Sequence, residues 1–157
     1  MTKSSMTKSS STTPASEIFA TRGDTKAIEQ GNQFQPKFDS DGLIGAIVTD
    51  AESGTVLMFA HMNADTLRLT LETGFAHFWS RSRAKLWKKG EESGNLLRVA
   101  EIRTDCDQDV LLISAKIMGA GVACHTGAKS CFYRRLAKAP GVDGRIALES
   151  AAPQKTR

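Results

Sequence analysis

The sequence predicts a β-rich α+β domain with mixed sheets and one main helix. Apolar and β-branched residues occur in short runs bounded by turn residues, which is typical of strands. Only one segment shows clear helical spacing of its apolar residues. Helices do not separate the strands, which argues against a doubly wound parallel sheet.

The length of 157 residues suits a single domain, which we expect at residues 37–138. Residues 1–36 are predicted to be a disordered extension, because MTKSS occurs twice and is followed by Ser, Thr and Pro. A short helix within residues 18–30 is compatible with this segment. Residues 139–157 are polar and contain Gly, Pro and Ala, which predicts a flexible C-terminal tail.

The first half of the domain is expected to form two strands and the helix. The strands cover residues 43–49 and 56–60, and Glu52-Ser53-Gly54 forms the turn between them. The helix follows Asn63, a favourable N-cap residue, and ends before Gly74, a favourable residue after a helix. Its apolar residues recur at helical spacing: Ala64, Leu67 and Leu71.

The second half of the domain is expected to contain four more strands. They cover residues 75–80, 97–104, 110–118 and 131–136. Glycine-containing turns precede the second of these strands, and a glycine-rich loop at residues 118–129 precedes the last.

The chain contains three cysteines, Cys106, Cys124 and Cys131, which cannot all pair within one chain. None forms a CxxC pair, which excludes a thioredoxin-like motif and an ordinary zinc ribbon. Lone cysteines are often buried as small apolar residues, but these three lie among polar residues or glycines. Three thiolates with a fourth position free are typical of catalytic zinc. His125 is either a fourth ligand or, as we prefer, a group that supports the ligands or acts in acid–base chemistry. The preference follows from its position directly after Cys124, because adjacent side chains often point apart.

An acidic cluster, Asp105, Asp107 and Asp109, surrounds the first cysteine in the segment DCDQD. In an extended segment these side chains would share one face, where a hard cation such as Mg²⁺ or Ca²⁺ would relieve their repulsion. The alternative is a solvated acidic turn. An EF-hand is excluded, since Val110 and Lys116 stand where it requires Gly and Glu.

A third segment, HFWSRSRAKLWKKGEESGN at residues 77–95, combines basic and aromatic side chains in a chain of net charge +4. Arginine and serine bind phosphate, and tryptophan stacks on heterocycles. The candidate substrate-binding residues are Arg81, Ser82, Arg83, Trp87 and Lys89. His77 and His125 are candidates for proton transfer, because histidine titrates near neutral pH. A basic strand and loop with a core tryptophan, or a site for single-stranded nucleic acid, would share this composition.

Three segments together, residues 77–95, DCDQD at 105–109 and CHTGAKSCFYR at 124–134, resemble the phosphoribosyl-AMP cyclohydrolases of histidine biosynthesis. The resemblance extends from residue 38 to residue 134. Val122 replaces a common proline and MNADT replaces a more usual MNxEA, but neither departure touches a candidate metal ligand. Because little sequence follows residue 138, we expect the monofunctional form of the enzyme.

The resemblance implies both the reaction and the metals. It implies hydrolysis of the N1–C6 bond of the adenine ring of 1-(5-phosphoribosyl)-AMP, which gives the phosphoribosyl-formimino-AICAR ribotide. It implies one Zn²⁺ per subunit on the three cysteines and Mg²⁺ on the three aspartates. It further implies an intertwined homodimer in which Cys106 of one chain and Cys124 and Cys131 of the other share each zinc.

Two other classes of function are compatible with parts of the sequence: a zinc-stabilised nucleic-acid-binding module, and a structural or redox protein with incidental cysteines. We expect neither nucleic acid nor membrane as a partner. No apolar run of about 18 residues exists, and the N-terminus lacks the apolar region of a secretory signal. The expected location is therefore the cytoplasm, where disulfides are rare.

Overall fold

The computed structural model describes residues 18–151 of the chain. Two helices and eight strands lie within them: α1 (Thr25–Gln30), β1 (Ile44–Asp50), β2 (Val56–Met62), α2 (Ala64–Thr73), β3 (His77–Ser80), β4 (Lys85–Lys88), β5 (Leu97–Thr104), β6 (Val110–Ile117), β7 (Arg134–Leu136) and β8 (Leu148–Ser150). Six strands form one sheet in the order β4-β3-β2-β1-β6-β5, and β7 pairs with β8 separately.

The predicted fold class is confirmed, because the six-stranded sheet is mixed and α2 is the main helix. β1 runs parallel to β6, whereas the other neighbouring strands are antiparallel. None of the helices between residues 18 and 151 is long and apolar enough to cross a membrane.

The core lies on the side of the sheet that α2 covers. Alternate residues of β1, Ile44, Ala46 and Val48, are almost fully buried there, as the two-residue period of a strand requires. Leu67 of α2 and Phe78 of β3 belong to the same buried cluster. Burial of each large apolar side chain contributes roughly 1.5–3 kcal/mol to folding.

Both predicted ends of α2 are confirmed. Asn63 accepts a hydrogen bond from the Thr66 amide at 2.9 Å, and the Thr66 hydroxyl accepts one from the Asn63 amide at 2.9 Å. Gly74 follows the helix with φ of 76°, in the left-handed region that glycine adopts without strain. The expected apolar stripe is wrong at Leu71, which is 54% exposed. Thr70 is buried instead, and its hydroxyl donates to the Thr66 carbonyl.

Two strands differ from the sequence prediction. The basic segment contributes β4, because Lys85–Lys88 pairs with all four residues of β3. The last predicted strand begins only at Arg134, since Cys131 is hydrogen-bonded to the Leu57 carbonyl and its chain is drawn towards β2. Tertiary contacts therefore override local strand propensity at both places.

Secondary structure forms near both ends of the described chain, within the predicted extension and the predicted tail. The predicted extension reaches residue 36, and its described part, residues 18–36, includes α1. Within the predicted tail, Leu148–Ser150 forms β8 against β7. The remaining parts of these two predictions, residues 1–17 and 152–157, lie outside the described residues.

The face of the sheet opposite α2 is largely open in the described chain. Ile47 of β1 pairs with Phe59 of β2 and with Leu112 of β6, so the three side chains lie side by side. Phe59 is 49% exposed and Leu112 is 40% exposed. Phe59 packs over Gly45, where an added Cβ atom would come within 2.9 Å of its ring. We call Ile47, Phe59 and Leu112 the open apolar face.

Candidate metal centre

The three aspartates converge in the turn between β5 and β6. Oxygen atoms of Asp105, Asp107 and Asp109 all lie within 4.8 Å of one another, and all three residues are exposed. The extended segment assumed from the sequence is wrong, because the chain turns here and Gln108 adopts φ of 57°. The turn places Asp105 Oδ1 where it accepts the amides of Asp109 at 3.0 Å and Val110 at 3.2 Å. We call residues 105–109 the aspartate turn.

The carboxylates of the aspartate turn affect one another electrostatically. The hydrogen bond shared with Asp105, followed by desolvation and repulsion, raises the pKa of Asp109. Burial raises the pKa of Asp105, but hydrogen bonds from Asp107, Asp109 and two backbone amides outweigh it, so that this pKa is lowered. Closely spaced like charges favour a proton or a cation between them. An all-oxygen donor set of this kind fits a hard divalent cation.

Two of the three cysteines come together in the loop before β7. The Thr126 hydroxyl donates to Cys124 Sγ at 3.0 Å and lowers the pKa of that thiol, against the opposing effect of burial. Burial raises the pKa of Cys131, and the neighbouring Cys124 raises it further. Lys89 acts on both thiols and favours the thiolate form. A pair of interacting sulfurs beside a cation is suited to a soft metal ion.

Three contacts attach this loop to the sheet. The Cys131 amide donates to the Leu57 carbonyl at 2.7 Å, and the Ser130 hydroxyl donates to the Val56 carbonyl at 2.7 Å. Lys129 forms an ion pair with Asp50 at 3.2 Å. The cysteine pair is therefore held beside β2, at the end of the sheet where β1 finishes.

Cys106 lies at the other end of the same strands. It belongs to the aspartate turn, immediately before β6, whose first residue Val110 pairs with Gly45 at the start of β1. Leu57, which binds Cys131, lies instead beside Val48 and Thr49 near the end of β1. Gly45 and Val48 are three residues apart in β1, which is about 10 Å along the strand at a rise of about 3.3 Å per residue. Within residues 18–151, the three cysteines do not form a group with converging ligand atoms.

The histidines occupy three different environments. His77 is buried, and its Nδ1 lies 2.7 Å from the Phe75 carbonyl; because a carbonyl only accepts, Nδ1 carries the proton. His125 is exposed in the cysteine loop. His61, which was not among the residues predicted from the sequence, packs edge-on against Phe59, with ring centroids 5.1 Å apart. Burial lowers the pKa of His61, Arg81 lowers it further, and Asp39 opposes them.

The predicted substrate-binding residues divide between a turn and a strand. Arg81, Ser82 and Arg83 are exposed in the turn between β3 and β4. Trp87 of β4 packs against Phe78 with ring centroids 5.2 Å apart, and the Lys89 ammonium lies 5.9 Å from the Trp87 ring. A cavity of about 250 Å³ adjoins this segment and is lined by basic and acidic side chains, among them Arg83, Lys88 and Glu91.

Sequence reasoning missed two residues that support the candidate ligands. Thr126 bonds to a thiol, and Gln108 is 5% exposed within an otherwise exposed turn. Both lie inside the quoted motifs, but a short polar motif does not reveal which of its members is buried. A second cavity, of about 410 Å³, lies beside Gln108 and is lined by Phe34, Asp105 and Cys106 among others.

Comparison with known proteins identifies close relatives. The family model described as phosphoribosyl-AMP cyclohydrolase matches residues 58–133. A Brucella anthropi protein named phosphoribosyl-AMP cyclohydrolase is 60% identical over 128 residues, which cover 82% of this chain and 90% of the relative. Proteins of the same name from Brucella abortus and Chelativorans sp. are 58% identical over 129 residues (82% and 91% of the two chains) and 60% identical over 113 residues (72% and 81%).

Proposed function

The chain belongs to the phosphoribosyl-AMP cyclohydrolase family, and on this premise we propose that it hydrolyses 1-(5-phosphoribosyl)-AMP in histidine biosynthesis. The observation that carries this proposal is 60% identity over 90% of the length of a relative with that name. The protein is thus a hydrolase acting on a small molecule. The geometry adds support, because a carboxylate cluster and a thiol pair occur in the same small domain.

We propose that Cys106, Cys124 and Cys131 bind one zinc ion per subunit, with Cys106 supplied by a second copy of the chain. Cys124 and Cys131 interact, whereas Cys106 lies at the opposite end of the strands. Three sulfur ligands with a fourth position free fit catalytic zinc. A homodimer would also cover the open apolar face, whose burial stabilises the association.

The proposed ligands of magnesium are Asp105, Asp107 and Asp109. Their oxygens lie within 4.8 Å of one another, and the residues are exposed enough for the ion to keep several waters. Cys106 lies inside the same turn, so the two proposed metals would be neighbours when the dimer forms.

The proposed reaction adds water across one bond of the adenine ring. The water oxygen forms a bond to C6 and becomes the carbonyl oxygen of a carboxamide. The C6–N1 bond breaks, one water proton goes to N1, and the other goes to the exocyclic nitrogen, which stays on C6. Zinc, when bound, lowers the pKa of a coordinated water to about 7. Of the two candidate histidines, His125 is exposed beside Cys124, which favours it for moving the proton to N1. The buried His77 has only Nε2 left for such a role, since Nδ1 donates to Phe75.

The basic turn and β4 are proposed to hold the substrate. Arg81, Ser82, Arg83 and Lys89 would bind its two phosphates, and Trp87 would stack on its ring system. The effect of Lys89 on the two thiols supports this arrangement, because it places an ammonium close to the reacting centre. Since all three cysteines are free and thiols are kept reduced in the cytosol, we also propose a cytoplasmic location.

The decisive experiment measures ring opening of phosphoribosyl-AMP by the purified protein, before and after chelation. We expect activity that chelation removes and that zinc and magnesium together restore. Cys124→Ser should lose zinc and activity, whereas Asp107→Asn should keep zinc and need more magnesium. Full activity and zinc content in Cys124→Ser would contradict the zinc assignment, and loss of zinc from Asp107→Asn with an unchanged magnesium response would reverse the two assignments.

A further inference from the structure

The segment before the first strand forms several hydrogen bonds with the aspartate turn. We call residues 18–37 the N-terminal segment. The buried Gln108 side chain accepts from the Gln35 amide at 2.6 Å and donates to the Ile28 carbonyl at 2.9 Å. Its carbonyl accepts from the Lys37 amide at 2.8 Å. Both polar atoms of the side chain and the backbone oxygen of Gln108 therefore bind this one segment.

Arg22 connects the N-terminal segment to the middle of the aspartate turn. One nitrogen, Nη1, donates to the Gln35 carbonyl and to the Asp107 carbonyl, each at 2.9 Å. The bond to Asp107 joins residues that are 85 positions apart in the chain. It holds the backbone of a candidate metal ligand and does not engage the carboxylate of that ligand.

The N-terminal segment is itself attached to the domain. The Phe19 ring packs edge-on against Phe34, with centroids 5.5 Å apart, and at a tilt against Phe38, with centroids 6.2 Å apart. All three rings lie against the main core. Gln35 is 4% exposed, and its side-chain oxygen accepts from the Gly23 amide at 2.6 Å. A support anchored in this way can fix the position of an exposed turn.

We propose that the N-terminal segment is a positioning element for the metal site, with Arg22 as its positioning residue. Without a cation, the three carboxylates repel one another and the aspartate turn tends to spread. The bonds to Gln108 and to Asp107 oppose this spreading, because they hold Gln108 at φ of 57° and keep the carboxylates converged. Preorganised ligands bind a cation more tightly, since less ordering is required on binding.

This inference rests on the proposed magnesium site, and Mn²⁺ is the probe that tests it. The dissociation constant of Mn²⁺ is measured by electron paramagnetic resonance without substrate for the wild type, Arg22→Gln and Lys26→Gln. Lys26 is the matched control, because it is exposed on the same segment and its ammonium forms no ion pair with the residues between 18 and 151. Removing a positive charge by itself would tighten cation binding, so weaker binding in Arg22→Gln alone cannot be a charge effect.

We expect Arg22→Gln to weaken Mn²⁺ binding about tenfold, which is the usual effect of removing a residue that orients a ligand. Hydrogen exchange at the Asp109 and Val110 amides, both bonded to Asp105, should be faster in Arg22→Gln. The thermal midpoint and exchange in β1 should match those of Lys26→Gln. Should Arg22→Gln fail to fold, Arg22→Lys is compared in the same way, with a smaller expected loss because one donor remains.

Equal Mn²⁺ affinity and equal exchange in the Arg22 and Lys26 variants would overturn the inference. A wild type that binds no Mn²⁺ would instead contradict the proposed magnesium site. In that case the exchange rates at Asp109 and Val110 still decide whether the N-terminal segment positions the turn.

Discussion

A heterodimer with a different cysteine removed from each subunit tests whether the zinc site is shared. One subunit carries Cys106→Ser and the other carries Cys131→Ser, and two affinity tags select the mixed species. The structure separates these two cysteines by about 10 Å along the strands, in addition to the distance across β1. A single chain therefore cannot supply both to one metal ion.

The expected magnitude follows from counting intact sites in a two-fold symmetric dimer. In the heterodimer, one site receives both altered residues and the other receives none. We expect about half of the wild-type activity and about one zinc per dimer, where the wild type holds about two. Each altered homodimer should be inactive, because both of its sites lack one of the three proposed thiolate ligands.

A second heterodimer is the control, with Cys124→Ser in one subunit and Cys131→Ser in the other. These two cysteines interact within one chain, so both sites are damaged and we expect no activity. Zinc is measured by atomic absorption and ring opening by the absorbance of the product. The shared site would be refuted if neither heterodimer were active, or if only the control heterodimer were active.

Three further predictions concern single side chains. Thr126→Val, which removes the hydroxyl donor of a buried thiol, should weaken zinc binding about tenfold in a chelator competition, and Thr126→Ser should not. Burial raises the pKa of Asp50, but two amide hydrogen bonds and Lys129 outweigh it and hold that pKa below its ordinary value of 3.8. A lowered pKa in the folded state stabilises the protein above pH 3.8, and this stabilisation is lost as the pH falls. Urea denaturation should therefore find Asp50→Asn about 1 kcal/mol less stable than the wild type at pH 7. This difference in stability should disappear below pH 3.8. Leu67→Ala should lower the free energy of unfolding by about 2–5 kcal/mol, and Leu71→Ala by less than about 1, because these leucines are 1% and 54% exposed; equal losses would contradict the assigned core face.

Most of the secondary structure could be predicted from the sequence, because cap residues and apolar spacing are local features. β5 was predicted with the observed bounds, and α2 has the predicted cap residues at both ends. β4 was not predicted, since two of its four residues are lysines and the segment becomes a strand only by pairing with β3. The aspartates were expected to converge, but the reason given was wrong: a turn, not an extended strand, brings them together.

The sequence alone determined the chemical content of this protein: the fold class, the motifs that identify the family, and the aspartates and cysteines that we propose as ligands. Only the tertiary structure decided their arrangement. It placed Cys106 away from Cys124, buried Gln108 and brought Arg22 to the aspartate turn. Motif spacing reports neighbours along the chain, whereas Arg22 and Asp107 are 85 positions apart and their contact depends on the path of the chain between them.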